Sequence, residues 1–317
     1  MTDRIPVMVL SGYLGAGKTT LLNRILSGDR GRRYAVIVNE FGELGIDGGL
    51  VVSAEDELFE LSNGCVCCTV RGDLVRTVRE LLAKRGIFDC IVIETTGVAS
   101  PGPVVQTFFI DQVLQAKTIL DSVTTVVDAR HIDLRLADSP AATEQIVFAD
   151  QIVLNKTELV TGEKLQAIQA RLKQLNPLAP IHLAQRADVD LDKLLGRRTF
   201  DFRHIQSAEP EFAEGHGHDC ITSVSLTSHR PLDASRLTGW LNDLVAGNGR
   251  DILRGKGIFD LRDEERRLVF QSVHMLVEAD FQRRWRPQEP RYSKLVFIGR
   301  NLDKQALQSG LAACESG

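Results

Sequence analysis

The sequence predicts an α/β fold, a mainly parallel sheet with helices on both faces, followed by a smaller α+β C-terminal domain. Three observations carry that expectation. Short apolar strands alternate with amphipathic helices from the start of the chain to about residue 195. A glycine-rich turn, Gly12-Tyr-Leu-Gly-Ala-Gly-Lys-Thr19, joins the first strand to the first helix. Periodicity is then lost between about 199 and 219, and a different pattern follows. The expected division is a first domain over 1–200, a polar linker over 201–219 and a second domain over 220–317.

Residues 5–10 form a β-branched apolar run, too short for the apolar core of a signal peptide, and read as the first strand. After the glycine-rich turn, Leu21, Leu22 and Ile25 share one helical face. Further strands are expected at 34–38, 57–61, 90–93, 123–127, 151–154 and 180–183. Helical spacing recurs at Leu74, Val78, Leu81 and Leu82, and at Leu165, Ile168, Leu172 and Leu175. Glu94, Asp128 and Asn155 each fall just after a strand. Ligands bind there in open α/β sheets, because strand ends and their loops form the crevice. In the second domain a strand at 221–226 precedes a helix with Leu237, Trp240, Leu241 and Leu244 on one face. Strands around 268–277 and 295–298 and a last helix after Asn301 complete a pattern that suits a mainly antiparallel sheet.

Composition narrows the function classes. A chain of 317 residues with 43% hydrophobic and 25% charged residues suits a soluble globular protein with two cores. A formal net charge of −4 gives no footprint for nucleic acid, and the basic cluster Arg283-Arg-Trp-Arg286 reads as a solvated face. No stretch of about 18 apolar residues is present, so no membrane association and a cytoplasmic location are expected. Six cysteines, three of them in Cys65-Val-Cys67-Cys68, point to metal or redox chemistry in a reducing compartment rather than to disulfides.

The turn at Gly12–Thr19 matches G-x-x-x-x-G-K-[ST], and its chemistry is that of phosphate binding. Backbone N–H groups of Gly12, Gly15, Ala16 and Gly17 can curl around phosphate oxygens, and the following helix adds its positive end near Thr20. Lys18 would neutralise the β and γ phosphates while the Thr19 hydroxyl coordinates Mg²⁺. The first domain is therefore expected to be of the P-loop NTPase type. Asn155-Lys156-Thr-Glu158 resembles the N-K-x-D base-recognition loop of GTPases, with Glu in place of Asp. A carboxylate there accepts the N1–H and 2-amino group of guanine. Adenine lacks both donors and would leave the carboxylate under-satisfied by about 1–3 kcal/mol, so GTP is favoured over ATP. Glu94 ends a buried-type strand before Thr-Thr-Gly97, and would hold Mg²⁺ through water or orient the attacking water. Asp128 is a competing acid. Gly97 is small enough for close backbone approach to the γ-phosphate. No Gln or Arg stands out as a water-positioning group or arginine finger, so slow intrinsic hydrolysis is expected.

Asn39-Glu-Phe-Gly-Glu43 and the cysteine cluster follow successive strands at the phosphate end of the sheet. Three thiolates, Cys65, Cys67 and Cys68, suit Zn²⁺, or Co²⁺ and Cu⁺ by the same softness. They leave a fourth position for Glu43, Glu40, water or an incoming ligand, and a turn at Asn63-Gly64 would let them converge. A redox reading of Cys65-x-x-Cys68 and buried structural cysteines are the alternatives. Cys90 reads as core, and His229 and His274 as structural histidines; His216 and His218 read as a solvated linker pair, with an outer metal-collecting site shared with Glu214 and Asp219 as the alternative.

The motifs at Gly12–Thr20, Asn39–Glu43, Gly64–Cys68, Ile93–Gly97 and Asn155–Glu158 together resemble the CobW-like P-loop GTPases, a family of zinc metallochaperones, cobalamin-biosynthesis proteins and nitrile hydratase activators. The resemblance continues at Leu253-Arg-Gly-Lys-Gly257, Leu268–Val273 and Ser293–Gly299, and Pro101–Phe109 is most similar to the YjiA-type branch. It implies Zn²⁺ on the cysteine motif and GTP hydrolysis that drives its transfer to client metalloproteins. Glu158 stands where the family has Asp, and Val38 where the branch offers a Glu. Glu43 and Cys67 are thus the ligands carried over most directly, while the part of Cys65 and Cys68 can vary with nucleotide state. Cobalt delivery for a corrinoid pathway or a nitrile hydratase, a regulatory GTPase with a structural zinc, and a small-molecule kinase are the rival readings. The sequence leaves the oligomeric state open, a homo-oligomer included.

Overall fold

The computed structural model describes residues 4–28, 31–38, 58–60, 68–83, 88–195 and 221–316, with the backbone alone at 58–60 and 68–71. Among them, the residues up to 170 together with 179–195 gather in one compact unit, and 171–178 with 221–316 in another. The expected linker at 201–219 lies outside the described residues.

The first unit alternates strands and helices: β1 (Ile5–Ser11), α1 (Lys18–Gly28), β2 (Tyr34–Val38), β3 (Leu58–Glu60), α2 (Cys68–Ala83) and β4 (Cys90–Glu94). It continues with α3 (Gly102–Ile110), α4 (Gln112–Lys117), β5 (Thr118–Asp128), α5 (Ile132–Asp138), α6 (Pro140–Val147), β6 (Gln151–Asn155), α7 (Gly162–Leu175, of which residues up to 170 count in this unit), β7 (Ile181–Leu183) and α8 (Leu191–Leu194). The seven strands form one sheet in the order β3-β2-β4-β1-β5-β6-β7, and every pairing is parallel. The expected parallel α/β architecture is present. Helices on both faces explain why central strands read as unbroken apolar runs rather than alternating ones. All five residues of β4 and the last five of β1 are buried.

Local chemistry sets the breaks. Asp111 stops α3 in an extended conformation and caps α4, its carboxylate accepting from the Val113 and Leu114 N–H groups. Arg79 of α2 reaches the same carboxylate at 2.6 Å. β5 begins five residues before the sequence suggests, because Asp121 and Ser122 interrupt the apolar pattern without ending the strand. Val7 pairs with Leu120 and Met8 with Ser122, so Asp121 is the extra residue of a bulge. Glu94, Asp128 and Asn155 are the last residues of β4, β5 and β6 rather than the first residues beyond them.

The second unit contains β8 (Ile221–Ser228), α9 (Ala234–Asn248), β9 (Ile252–Phe259), β10 (Arg266–Val273), β11 (Leu276–Arg284), β12 (Ser293–Arg300) and α10 (Lys304–Ala313). Its five strands pair antiparallel in the order β11-β10-β9-β12-β8. Phe259, Phe270 and Phe297 pack ring against ring, with centroids 5.8 and 6.3 Å apart. Leu237 and Leu241 of α9 and Leu307 and Leu311 of α10 belong to the same core. The region around 268–277 is a hairpin that turns at His274, whose φ is 51°.

The basic cluster near the end of β11 is not simply solvated. Glu289 accepts two hydrogen bonds from Arg283 at 2.8 Å, one from Arg267 at 3.1 Å and one from the Arg286 N–H at 3.0 Å. The Arg283 bonds outweigh burial and hold its carboxyl down to about 2. A carboxyl depressed in the folded state stabilises above its ordinary value of 4.5 and loses that contribution as pH falls toward about 2. Glu289→Gln is expected to cost the full chain about 1.5–3 kcal/mol at neutral pH in urea unfolding. The gap to wild type should narrow as the measurement moves into acid, and a gap independent of pH would contradict the assignment.

Candidate nucleotide site

The C-terminal end of β1 is the middle of the parallel sheet, and the chain leaves it through three glycines in the left-handed half of backbone space: Gly12, Gly15 and Gly17, with φ of 137°, 73° and 110°. At Gly17 the requirement is double, since a Cβ there would also lie 2.5 Å from Asn155 Nδ2. The Ala16 N–H closes the loop onto the Tyr13 carbonyl at 3.1 Å, and the Leu21 N–H bonds to the Gly17 carbonyl at 3.0 Å as α1 begins at Lys18. The loop thus runs directly into the N-terminus of α1, the arrangement of an anion site. Lys18 is 8% exposed, and burial pulls its pKa down against the opposing effect of Glu94. The Thr19 hydroxyl donates to Glu94 Oε1 at 3.2 Å, and Thr20 is exposed on the same turn.

The segment after β4 is fastened to this loop. The Thr95 N–H and hydroxyl both reach the Leu10 carbonyl, at 2.9 and 3.3 Å. A Cβ on Gly97 would stand 2.5 Å from the Leu14 nitrogen, so only glycine permits this approach. Gln145 of α6, 1% exposed, donates to the Gly97 and Ala99 carbonyls at 3.1 and 3.0 Å, and its own carbonyl accepts from the Thr125 hydroxyl.

On the other side, Asn155 donates to the Ala16 carbonyl at 2.9 Å and accepts from the Ala187 N–H at 2.7 Å. Lys156 follows with φ 60°, and Glu158 sits exposed in the short 3₁₀ turn Thr157–Leu159. The Lys156 ammonium donates to Asp128 Oδ2 at 2.8 Å, His131 Nδ1 lies 3.0 Å from the same oxygen, and the Arg130 N–H reaches Oδ1 at 2.9 Å. Burial opposes ionisation of Asp128, but hydrogen bonds from Lys156 and His131 prevail and hold it below the usual carboxylate range. The two acids that the sequence leaves in competition therefore have different surroundings: Glu94 meets Thr19, and Asp128 meets Lys156. Every residue expected to bind nucleotide lies at this one end of the sheet, on the exits of β1, β4 and β6.

Cys68 is the first residue of α2, and its side chain lies outside the described residues, as does the turn expected at Asn63-Gly64. So do Glu43, Cys65, Cys67, His216 and His218. Among the described residues no group of three or more His, Cys, Asp or Glu side chains could hold a metal ion. Cys90 is buried in the core, as expected.

Sequence reasoning missed Gln145, Arg135 and His131. Arg135 lies over the Tyr13 ring at 4.8 Å, and a cavity of about 230 Å³ beside the phosphate loop is lined by Tyr13, Gly15, Asp128, His131, Arg135 and Lys156. Gln145 and Arg135 lie on helices and His131 just before one, none belongs to a motif, and only their spacing from Asp128 could have hinted at them.

Residues 6–183 match the profile of the CobW/HypB/UreG nucleotide-binding domain, and residues 221–315 that of the cobalamin synthesis protein CobW C-terminal domain. The chain belongs to the CobW/HypB/UreG family. Among curated members of that family it is 37% identical to the zinc chaperone YjiA of Escherichia coli, over 97% of this chain and 98% of the relative. It is 36% identical to the zinc chaperone CobW of Pseudomonas aeruginosa, over 97% and 91%. It is also 33% identical to the zinc-regulated GTPase metalloprotein activator 1 of Schizosaccharomyces pombe, over 95% and 84%. The crystal structure of Zn(II)-bound YjiA GTPase from E. coli superposes with a TM-score of 0.78 at 32% identity, covering 99% of this chain and 100% of the other. No helix among the described residues is long and apolar enough to cross a membrane.

The Gly97 contact yields a test. Gly97→Ala is expected to push the segment after β4 off the phosphate loop, weaken nucleotide binding by about ten-fold or more, and cost about 1–3 kcal/mol of stability. Wild-type affinity in calorimetric titration would contradict it.

Proposed function

We propose that the chain is a GTP-dependent zinc chaperone, which binds GTP and Mg²⁺ at the Gly12–Thr20 loop, holds Zn²⁺ at the Cys65-x-Cys67-Cys68 motif, and passes the ion to client metalloproteins as GTP is hydrolysed. The observation that carries this reading is topological. β2 and β3 run parallel to β1, so the chain leaves Val38 and Glu60 at the same end of the sheet as the phosphate loop. The order β3-β2-β4-β1 puts the exit of β3 three strand spacings from that of β1, about 14 Å. Four residues, 61–64, lie between Glu60 and Cys65, and Cys68 then opens α2. The segment carrying Glu43 leaves β2 between the two.

On this reading Lys18, lodged at the helix N-terminus, neutralises the terminal phosphates, and the glycine-rich backbone supplies N–H donors. The Thr19 hydroxyl and the Glu94 carboxylate are hard oxygen donors 3.2 Å apart, a pair suited to Mg²⁺. When bound, Mg²⁺ neutralises charge that develops on the phosphate oxygens. Gly97, Asn155, Lys156 and Glu158 complete the γ-phosphate and base sides. Asn155 holds the loop to the base side, and the Glu158 carboxylate accepts the two guanine donors. Support for zinc as the cargo comes from the names and the zinc-bound structure of relatives that align over nearly the whole chain.

Coupling between two such sites is a free energy shared by both ligands, typically about 1–3 kcal/mol. Competition with a fluorescent zinc indicator in excess Mg²⁺ is expected to give Zn²⁺ affinities that differ by about five-fold or more between a non-hydrolysable GTP analogue and GDP. Lys18→Ala, which weakens nucleotide binding, should abolish the difference. Equal affinities in the two nucleotide states would overturn the proposal.

A further inference from the structure

Asp128 is the acid that the nucleotide chemistry proposed above leaves unused, and it is the centre of a built polar cluster. It ends β5 directly opposite Asn155 of β6, and the Ala129 N–H donates to the Asn155 carbonyl at 2.9 Å, so the two strand ends are tied. Its side chain is 13% exposed, and both oxygens are engaged: Oδ1 by the Arg130 N–H, Oδ2 by the Lys156 ammonium with His131 beside it. Lys156 stands in the left-handed conformation between Asn155 and the turn that carries Glu158. For a residue with a side chain that conformation is strained and persists where surroundings impose it. Lys156 also lines the cavity beside the phosphate loop with Tyr13 and Gly15. A lysine there without a fixed partner would be drawn to a bound triphosphate and would carry the following turn with it.

We infer that Asp128 is a positioning residue of the base-reading loop: by holding Lys156 it fixes the turn that presents Glu158 to guanine, and so sets base selectivity as well as affinity. This rests on the guanine reading of the site. Asp128 does not take part in the chemistry at the γ-phosphate, since it is committed on the base side while Glu94 meets Thr19.

The test uses the full chain as wild type, Asp128→Asn, Lys156→Met and the double variant. Affinities for GTP, ATP and ITP, which lacks the 2-amino group, are measured by calorimetry, with kcat at saturating GTP. Asp128→Asn is expected to weaken GTP by about ten-fold, the loss of a charge-assisted bond. ITP should weaken less, so that the GTP-to-ITP preference falls about three-fold or more. The kcat at saturation should stay within about two-fold, and the double variant should bind no more weakly than Lys156→Met, since the two residues act as one unit. A general loosening of the fold would lower both nucleotides equally, so an unchanged preference overturns the inference. A fall in kcat at unchanged affinity, or single effects that multiply in the double variant, would also overturn it. Should Asp128→Asn melt early, the preference in Lys156→Met decides by the same criterion. A wild type that binds ATP as tightly as GTP would defeat the guanine reading itself, whereas a guanine-selective wild type matched by Asp128→Asn defeats only the role of Asp128.

Discussion

The carboxamide of Asn155 is the tie on which both sides of the candidate site depend. It is 2% exposed, donates to the carbonyl of Ala16 in the phosphate loop, and accepts from the N–H of Ala187 beyond β7. A carboxamide carries its donor and its acceptor on two separate atoms, and both find backbone partners here, as a buried polar group requires. The absence of a side chain at Gly17 lets it approach. Ala16, Asn155 and Ala187 thereby place the exits of three parallel strands in one frame. Lys156 and Glu158 extend it on one side, while Thr19 and Glu94 close it on the other.

The parts of this frame legible in the sequence are those whose chemistry is local. A phosphate loop is a run of adjacent residues with demanding backbone angles, so Gly12–Thr19 declares itself, as do the buried-type strands ending at Glu94 and Asn155. What stayed hidden is formed by residues distant in sequence. Gln145 lies 48 residues from the Gly97 carbonyl it holds, and Asp128 lies 28 from Lys156. Neither pair has a spacing rule. β9 escaped for another reason: Arg254, Gly255, Lys256 and Gly257 form neither an apolar run nor an apolar alternation, yet the strand is the middle one of its sheet, with Arg254 and Lys256 buried. The early start of β5 was concealed by its bulge at Asp121, and the helices at 102–147 by their shortness.

The two units differ in the kind of sheet and in what the sheet is for. In the first, every strand runs the same way, so all loops that follow strands meet at one end, where ligand chemistry collects. The second is an antiparallel sheet stabilised by a phenylalanine cluster and by ion pairs such as Glu289 with Arg283 and Arg267, and among the described residues it gathers no comparable constellation. The proposed chaperone function accordingly rests on the first unit. There the same end of the sheet that presents Lys18 and Thr19 also releases the chain toward Glu43 and toward Cys65.

The central claim is that nucleotide state governs the metal. Its most direct test is a single-turnover experiment in which zinc-loaded, GTP-loaded protein is mixed with Mg²⁺ and a fluorescent zinc acceptor while phosphate release is followed in parallel. The account predicts that zinc reaches the acceptor no faster than phosphate appears, and that a non-hydrolysable analogue holds it back. Zinc transfer at one rate with GTP, the analogue and GDP would contradict it.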